Sequence, residues 1–444
     1  MKVAVVGSGI SGLAAAHTLH GAADVTLFEA GSYFGGHTHT VDVTLPTPQG
    51  LVTHGVDTGF LVYNERTYPT LIKLLAQLGV ESARSEMSFS VQSQNPRTGR
   101  ALEWSGTSLN ALFAQRSNLL DWRFLNMLRD IRRFNAVCSK MANHHAEAQL
   151  RQTVGKFLET HRFSAEFCDG YFLPMAACIW SCPTRQMLEF PMASMIRFCH
   201  NHGLLQLTNR PQWWTIRGGA RAYVGKILAP IDDKRLNTPV RLIQRLACES
   251  AQTTPRGVRI STDQTQEDFD AVIIAAHSDQ ALALLDKPAA QERALLGAIA
   301  YQTNKAVLHT DTSVLPTSRA AWAAWNYQRA TPLLSLADSS PESGVCLHYL
   351  INRLQPLPWA QPVIVSLNPV RAIAPQHIMG EYDYAHPVFD AAAIQAQSQI
   401  AGLQGLHGTY YCGAWVGYGF HEDGLKAGQA AASKLLADRR KGTS

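Results

Sequence analysis

Gly7, Gly9 and Gly12 follow directly on a short apolar run, Lys2 to Val6, and Glu29 stands 17 positions beyond the last of them. Gly7 permits a tight turn, Gly9 lets the backbone approach a pyrophosphate, and Gly12 allows a helix to pack closely on the preceding strand. The helix that starts there, with Ser11 in its first turn, points unpaired N–H groups at an anion. A carboxylate at Glu29 is placed to accept the ribose hydroxyls of a dinucleotide. Up to this point nicotinamide and flavin dinucleotides are served alike. Other reactive residues fit less complete patterns. His37, His39 and His54 put imidazoles near one strand, but no cysteine or carboxylate cluster completes a metal set, so no metal site is expected. Cys178 and Cys182 read as core or loop cysteines more simply than as a redox pair. His421 beside Glu422 is the best acid/base candidate near the C terminus, its plainer reading being a surface histidine at a helix start.

The elements that must carry these residues are legible from periodicity. Lys2–Val6 reads as a buried parallel strand, Ile10 to about Leu19 as a helix, and Val25–Phe28 as a second strand, which makes an α/β fold with a Rossmann-type domain. Residues 108 to 200 are mostly helical in pattern. Turn punctuation returns around Asn209 to Gly219, followed by a helix over Ala222–Leu228. Strand-like runs follow at 239–243, 257–261 and 269–276. The C-terminal stretch from Tyr410 reads as strand, glycine loop and helix, an arrangement that directs a helix's positive end at an electron-rich edge. Asp423 reads first as the N-cap of that helix. The expected division is one domain from 1–80, 205–290 and 400–444, and an interleaved α+β domain from 81–204 and 291–399. Residues 112–134 mix leucines and aromatics with five arginines, a pattern read as a core helix before an interfacial one.

Gly35-Gly36-His37, lying just past Glu29, resembles the extended FAD fingerprint of the flavin amine oxidases, and Val56-Asp57-Thr58-Gly59-Phe60 resembles the same family's next motif. The Tyr410-to-Leu425 stretch resembles the closing FAD motif of the amine oxidase and phytoene desaturase superfamily. The pattern departs at His37, where arginine is common, and at Ala414, where glutamate is usual. The resemblance implies non-covalent FAD held by Gly7, Gly9, Ser11, Gly12, Glu29, Gly35, Gly36, His37, Gly59, Val240, Gly413, Asp423, Gly424 and Leu425. It implies a role for Lys305 in holding a water near flavin N5, and Trp415, Tyr418 and Phe420 are candidates to line the substrate cavity. More narrowly, Trp180-Ser-Cys-Pro, Asn201-His-Gly-Leu-Leu and Leu308-His-Thr-Asp311 resemble bacterial predicted FAD-binding proteins. Those are similar in turn to the N-terminal flavoprotein extension of plant cyclopropane fatty acid synthases, a kinship that implies a lipid or acyl-chain substrate.

Composition narrows the remaining classes. A chain of 444 residues with 46% hydrophobic and 16% charged residues is ordered and large enough to bury a dinucleotide. A net charge of +5 is too mild to argue for nucleic acid, though it suits an anionic surface or substrate. Eight dispersed cysteines read as reduced, and no run reaches membrane-spanning length, so cytoplasmic residence with at most peripheral membrane contact is expected. The leading expectation is an FAD-dependent dehydrogenase of a fatty acyl or other lipid chain. A flavin amine oxidase of a small amine and a non-catalytic flavin-binding accessory protein in lipid modification are the alternatives; the electron acceptor is left open.

Overall fold

The computed structural model describes residues 1–94, 101–146, 150–206, 210–246, 257–329 and 345–442; Asn209 and Cys248 lie outside them. Val3 to Val6 are buried on both faces, as the inner strand of a helix-covered parallel sheet requires. The strand Lys2–Val6 pairs in parallel with Asp24–Phe28 and Ala271–Ile274, and Asp233–Arg235 and Thr409–Tyr411 complete a five-stranded sheet. One face (Val3, Val5, Leu27, Ile273) packs on the helices Ile10–Leu19 and His421–Gly442, while the other (Ala4, Val6, Phe28, Val272, Ile274) joins the larger core. The register aligns Arg235, Phe28, Val6, Ile274 and Tyr411, so all five strands end at one edge, where ligands of such sheets bind.

A second sheet of seven strands runs in the order Ile378–Val388, Ala300–His309, Ile364–Leu367, Cys346–Leu350, Trp325–Gln328, Phe89–Gln94, Ala101–Ser105. All its pairings are antiparallel except that of Trp325–Gln328 with Phe89–Gln94. Helices from Trp122–Asn143 to Met192–Asn201 pack beside it around Phe134, whose ring lies within 6.4 Å of those of Phe157, Phe163, Phe167 and Phe172. The 112–134 segment does not form one helix: a short turn and a 3-10 turn precede a helix that starts at Trp122, capped by Asp121. One π-helical turn, Cys168–Phe172, brings Tyr171 to a cavity between the two sheets. Cys178 and Cys182 are buried and not joined in a disulfide, and burial pushes the Cys178 thiol well above its ordinary range, which disfavours the thiolate a redox pair needs.

Candidate active site

The sheet's carboxyl edge opens into a cavity of about 1320 Å³, lined at this end by Gly7, Gly9, Ser11, Glu29, Gly35 and Gly36. Gly7 has φ +99°, and a Cβ there would lie 2.6 Å from the Ala275 carbonyl oxygen. At Gly12 a Cβ would fall 1.8 Å from the Gly7 carbonyl oxygen, so the helix can approach the turn only without a side chain. At Gly9 a Cβ would meet nothing within 4 Å, although the residue lines the cavity; its bareness serves something outside the polypeptide. Glu29 accepts from the Ser8 amide (2.9 Å), the Ser8 hydroxyl (2.5 Å) and the Gly31 amide (2.8 Å), which fixes both carboxylate oxygens at the cavity wall. Thr238, Pro239 and Val240 line the same end.

His37 follows the glycine pair and lines the cavity with its Nε2 buried and without a protein partner. Burial, then the neighbouring imidazoles of His386, His277 and His421, hold it well below the usual histidine range, so the ring is neutral. Gly59 lines the cavity too, but a Cβ there would strike the His37 carbonyl oxygen at 2.3 Å; this glycine lets two backbone segments meet. Gly413 is bare for a similar reason, since a Cβ would lie 2.1 Å from the Trp415 ring nitrogen, and that indole donates to the Ala276 carbonyl at 3.0 Å.

Three expectations for the closing motif need correction. Asp423, Gly424 and Leu425 do not line the cavity. The Asp423 carboxylate turns back to accept from the Tyr418 and Phe420 amides, both at 3.1 Å, holding the loop ahead of the helix, and burial pushes its pKa up to about 6. Gly424 packs against Ile10 and Ser11, and Leu425 is fully buried among the helices. Tyr418 is not among the lining residues, its ring lying 6.3 Å from that of Phe198, whereas Trp415 and Phe420 line the cavity. His421 is not at the surface: it is buried and lines the cavity, stacked on Phe60 with ring centroids 3.8 Å apart, and desolvation lowers it to about 3. Its Nε2 meets the Tyr223 hydroxyl at 2.5 Å, which meets the Thr38 hydroxyl at 2.7 Å.

Lys305 is likewise misplaced by the sequence reading. It projects from the outer face of its strand, half exposed and paired with Glu381 at 3.0 Å. The inward residue is its neighbour Asn304, fully buried, whose amide donates to His386 Nδ1 at 3.0 Å and to the Ser181 carbonyl at 3.0 Å. That bond leaves the proton of neutral His386 on Nε2, and burial lowers the ring to about 4. His386 lines the cavity beside His37, with ring centroids 5.1 Å apart. The sequence reading missed Asn304, His386, His277 and Tyr301. The alternation Tyr384-Ala-His386, which sends both rings to one strand face, was the available signal. His39 stacks on Tyr33 and His54 bonds the Gly55 carbonyl, so these rings are engaged separately from His37.

Beyond the imidazoles the wall becomes apolar, with Phe89, Trp104, Tyr171, Ile179, Phe198 and Phe420 among its residues. Besides Glu29, its acidic side chain among the described residues is Glu86, already bound to Arg353 at 2.8 Å. Arg210 lines the same compartment.

A glycine-turn anion cradle at the sheet edge, a carboxylate at ribose distance along the chain and an unpartnered buried imidazole define a dinucleotide-binding oxidoreductase site of the flavoprotein kind. Residues 10–354 match the model of the flavin-containing amine oxidoreductases, and the chain belongs to that family. It is an FAD-dependent oxidoreductase. Among solved structures it is similar to putrescine oxidase bound to putrescine (TM-score 0.66, 16% identity, 98% of this chain and 99% of that one). It is similar to cyclohexylamine oxidase from Brevibacterium oxydans (TM-score 0.65, 17% identity, 99% of each chain). It is also similar to a fatty acid isomerase producing CLA from P. acnes (TM-score 0.61, 15% identity, 97% of this chain and 98% of that one). A comparison with curated protein sequences gave no match. No helix among the described residues is long and apolar enough to cross a membrane.

Proposed function

We propose that the enzyme dehydrogenates a fatty acyl or related lipid chain, with FAD held by Gly7, Gly9, Ser11, Glu29, Gly35, Gly36, His37 and Val240. The observation that carries this reading is the apolar and aromatic wall beyond the imidazoles, combined with a lining carboxylate, Glu86, already neutralised by Arg353. An ammonium substrate needs a free anion or an aromatic cage with a polar partner, whereas an acyl chain needs a dry slot. The resemblance to the flavoprotein extension of plant cyclopropane fatty acid synthases and the fold shared with a fatty acid isomerase support the same direction.

Bound flavin supplies a two-electron acceptor that takes a hydride from carbon. The chain's residues do the rest. Phe89, Trp104, Tyr171, Ile179 and Phe420 orient the acyl chain and exclude water, which protects a reactive carbon and strengthens polar contacts inside. His37, whose buried Nε2 has no protein partner, is the group at this wall open to take the accompanying proton, while His386, its Nδ1 already accepting from Asn304, can only donate from Nε2. Arg210 is the cation available to a carboxylate or phosphate at the chain's polar end. Anaerobic mixing of holoprotein with lipid extracts or with an amine panel tests the assignment. Bleaching of the flavin spectrum by lipid is expected. Bleaching by amines alone makes the enzyme an amine oxidase, and no bleaching by either, in a protein whose flavin dithionite reduces, gives the accessory role.

A further inference from the structure

Five of the eight large apolar side chains exposed among the described residues fall between 109 and 125: Leu109, Leu119, Leu120, Trp122 and Leu125. Leu120 is 93% exposed and Leu109 77%, values that an ordinary surface leucine has no reason to reach in company with four others. They sit where the chain turns into the helix Trp122–Asn143. The exposed stripe of that helix runs Trp122, Leu125, Arg129, Arg132, Ala136, Lys140 at three- and four-residue steps, so an apolar tip is followed by a cationic band. At 1.5 Å per residue Arg132 lies roughly 15 Å along the axis from Trp122, about the depth over which a side chain passes from acyl region to headgroups.

Charge complementarity names the occupant. Residues 106–134 carry Arg116, Arg123, Arg129, Arg132 and Arg133 against two aspartates, of which Asp130 is buried and Asp121 caps the helix. Among the described residues, Arg116 and Arg132 have no carboxylate within ion-pair distance. Arg319, held over Trp322 at 5.4 Å, opens the nearby turn Arg319–Ala321 that packs on Leu109–Leu112. An apolar tip ringed by arginines fits the interface of an anionic bilayer.

The tip is continuous with the substrate cavity. Trp104, Gly106 and Thr107 line the cavity, and Leu109 follows two residues later. The Trp104 ring packs against Phe124 at 6.1 Å, and Phe124 is on the buried face of the helix whose exposed face carries Trp122 and Leu125. We infer that residues 109–132 dock the enzyme on an anionic lipid surface and set the cavity entrance at Gly106 and Thr107 against it, so that an acyl chain passes from bilayer to cavity without crossing water. This rests on the acyl-chain reading above.

The test is cosedimentation of holoprotein with vesicles of phosphatidylcholine alone or mixed with phosphatidylglycerol, alongside flavin reduction by a detergent-dispersed acyl lipid. Wild type is expected to bind the mixed vesicles roughly tenfold or more tightly than the neutral ones. The double variant Leu120→Ser/Trp122→Ser should lose most binding to both, and Arg129→Gln/Arg132→Gln should lose the anionic preference, with flavin content and reduction by dispersed lipid unchanged in each. Wild type remaining in solution with every vesicle overturns the proposal, as does full binding by Leu120→Ser/Trp122→Ser. A self-associating wild type made monomeric by that variant overturns it in favour of a second copy as the occupant. If vesicles bind as described but no acyl lipid reduces the flavin, the docking surface stands and the substrate assignment fails. If dispersed lipid reduces the flavin without vesicle binding, the reverse holds.

Discussion

Replacing Gly9 with alanine should separate cofactor binding from folding. Gly9 has φ −60° and ψ 175°, a conformation any residue adopts, and its Cβ direction is open for 4 Å. The apoprotein therefore gains about 0.4–1 kcal/mol, because alanine reduces the freedom of the unfolded chain and meets nothing in the folded one. The same methyl projects into the cavity where the pyrophosphate must approach the backbone. Loss or lengthening of one charge-assisted N–H to oxygen bond costs about 1.5–3 kcal/mol, which is roughly a 10- to 150-fold weaker affinity for FAD. Fluorescence titration of apoprotein with FAD measures the second quantity, and thermal unfolding of apoprotein measures the first. Unchanged affinity refutes the placement of the pyrophosphate against Gly9. A large fall in apoprotein stability refutes the claim that the position is open. Gly12→Ala is the contrasting control, since its methyl would sit 1.8 Å from a carbonyl oxygen and should destabilise the fold itself.

Glu29→Ala should lower FAD retention at least tenfold and also strip the Ser8 and Gly31 amides of their acceptor, as flavin content after gel filtration will report. Lys305→Met should leave flavin reduction within about twofold, because the lysine belongs to an exposed pair of small worth; a tenfold loss in stopped-flow traces contradicts its outward placement. Arg210→Met should raise KM for a free fatty acid about tenfold with flavin content unchanged, and an unchanged KM removes the residue from the polar-end site. Acid should destabilise the fold early. Burial holds His202, His309 and His386 at about 4 and His348 and His421 at about 3, whereas the unfolded chain takes up these protons near 6.5. Their contribution is thus complete at neutral pH and declines as pH falls from 6.5 toward 4, by roughly 2 kcal/mol per imidazole at pH 5. Asp57 and Asp423, both raised to about 6, act oppositely, their penalty easing as pH falls below 6. Urea midpoints at pH 7 and pH 5 measure the balance, and an equal or higher midpoint at pH 5 contradicts it.

The dinucleotide cradle was readable in sequence because its requirements are local. A positive φ at Gly7 and a carbonyl contact at Gly12 admit no other residue, and the strand, turn and helix around them have periodic patterns of their own. Lys305 was misread because a strand sends adjacent side chains to opposite faces, and nothing local says which face will be covered. The answer came from the strand Ile378–Val388, which pairs Asn304 with Tyr384 and Lys305 with Asp383 across some eighty residues of chain. His421 was expected at the surface because a helix start usually lies there, yet Tyr223 and Phe60, from two remote segments, enclose it. The arginine-rich 112–134 stretch reads as a core helix before an interfacial one; its helix begins only at Trp122, with Phe124, Met127 and Phe134 facing the core while Trp122 and Leu125 face outward.

Single-turnover product analysis addresses the central claim most directly. Holoprotein mixed anaerobically with a saturated or monounsaturated acyl lipid, then quenched and extracted, should yield lipid lacking two hydrogens in a one-to-one ratio to flavin reduced. Flavin reduction with no change in the hydrogen content of the acyl chain would contradict the account.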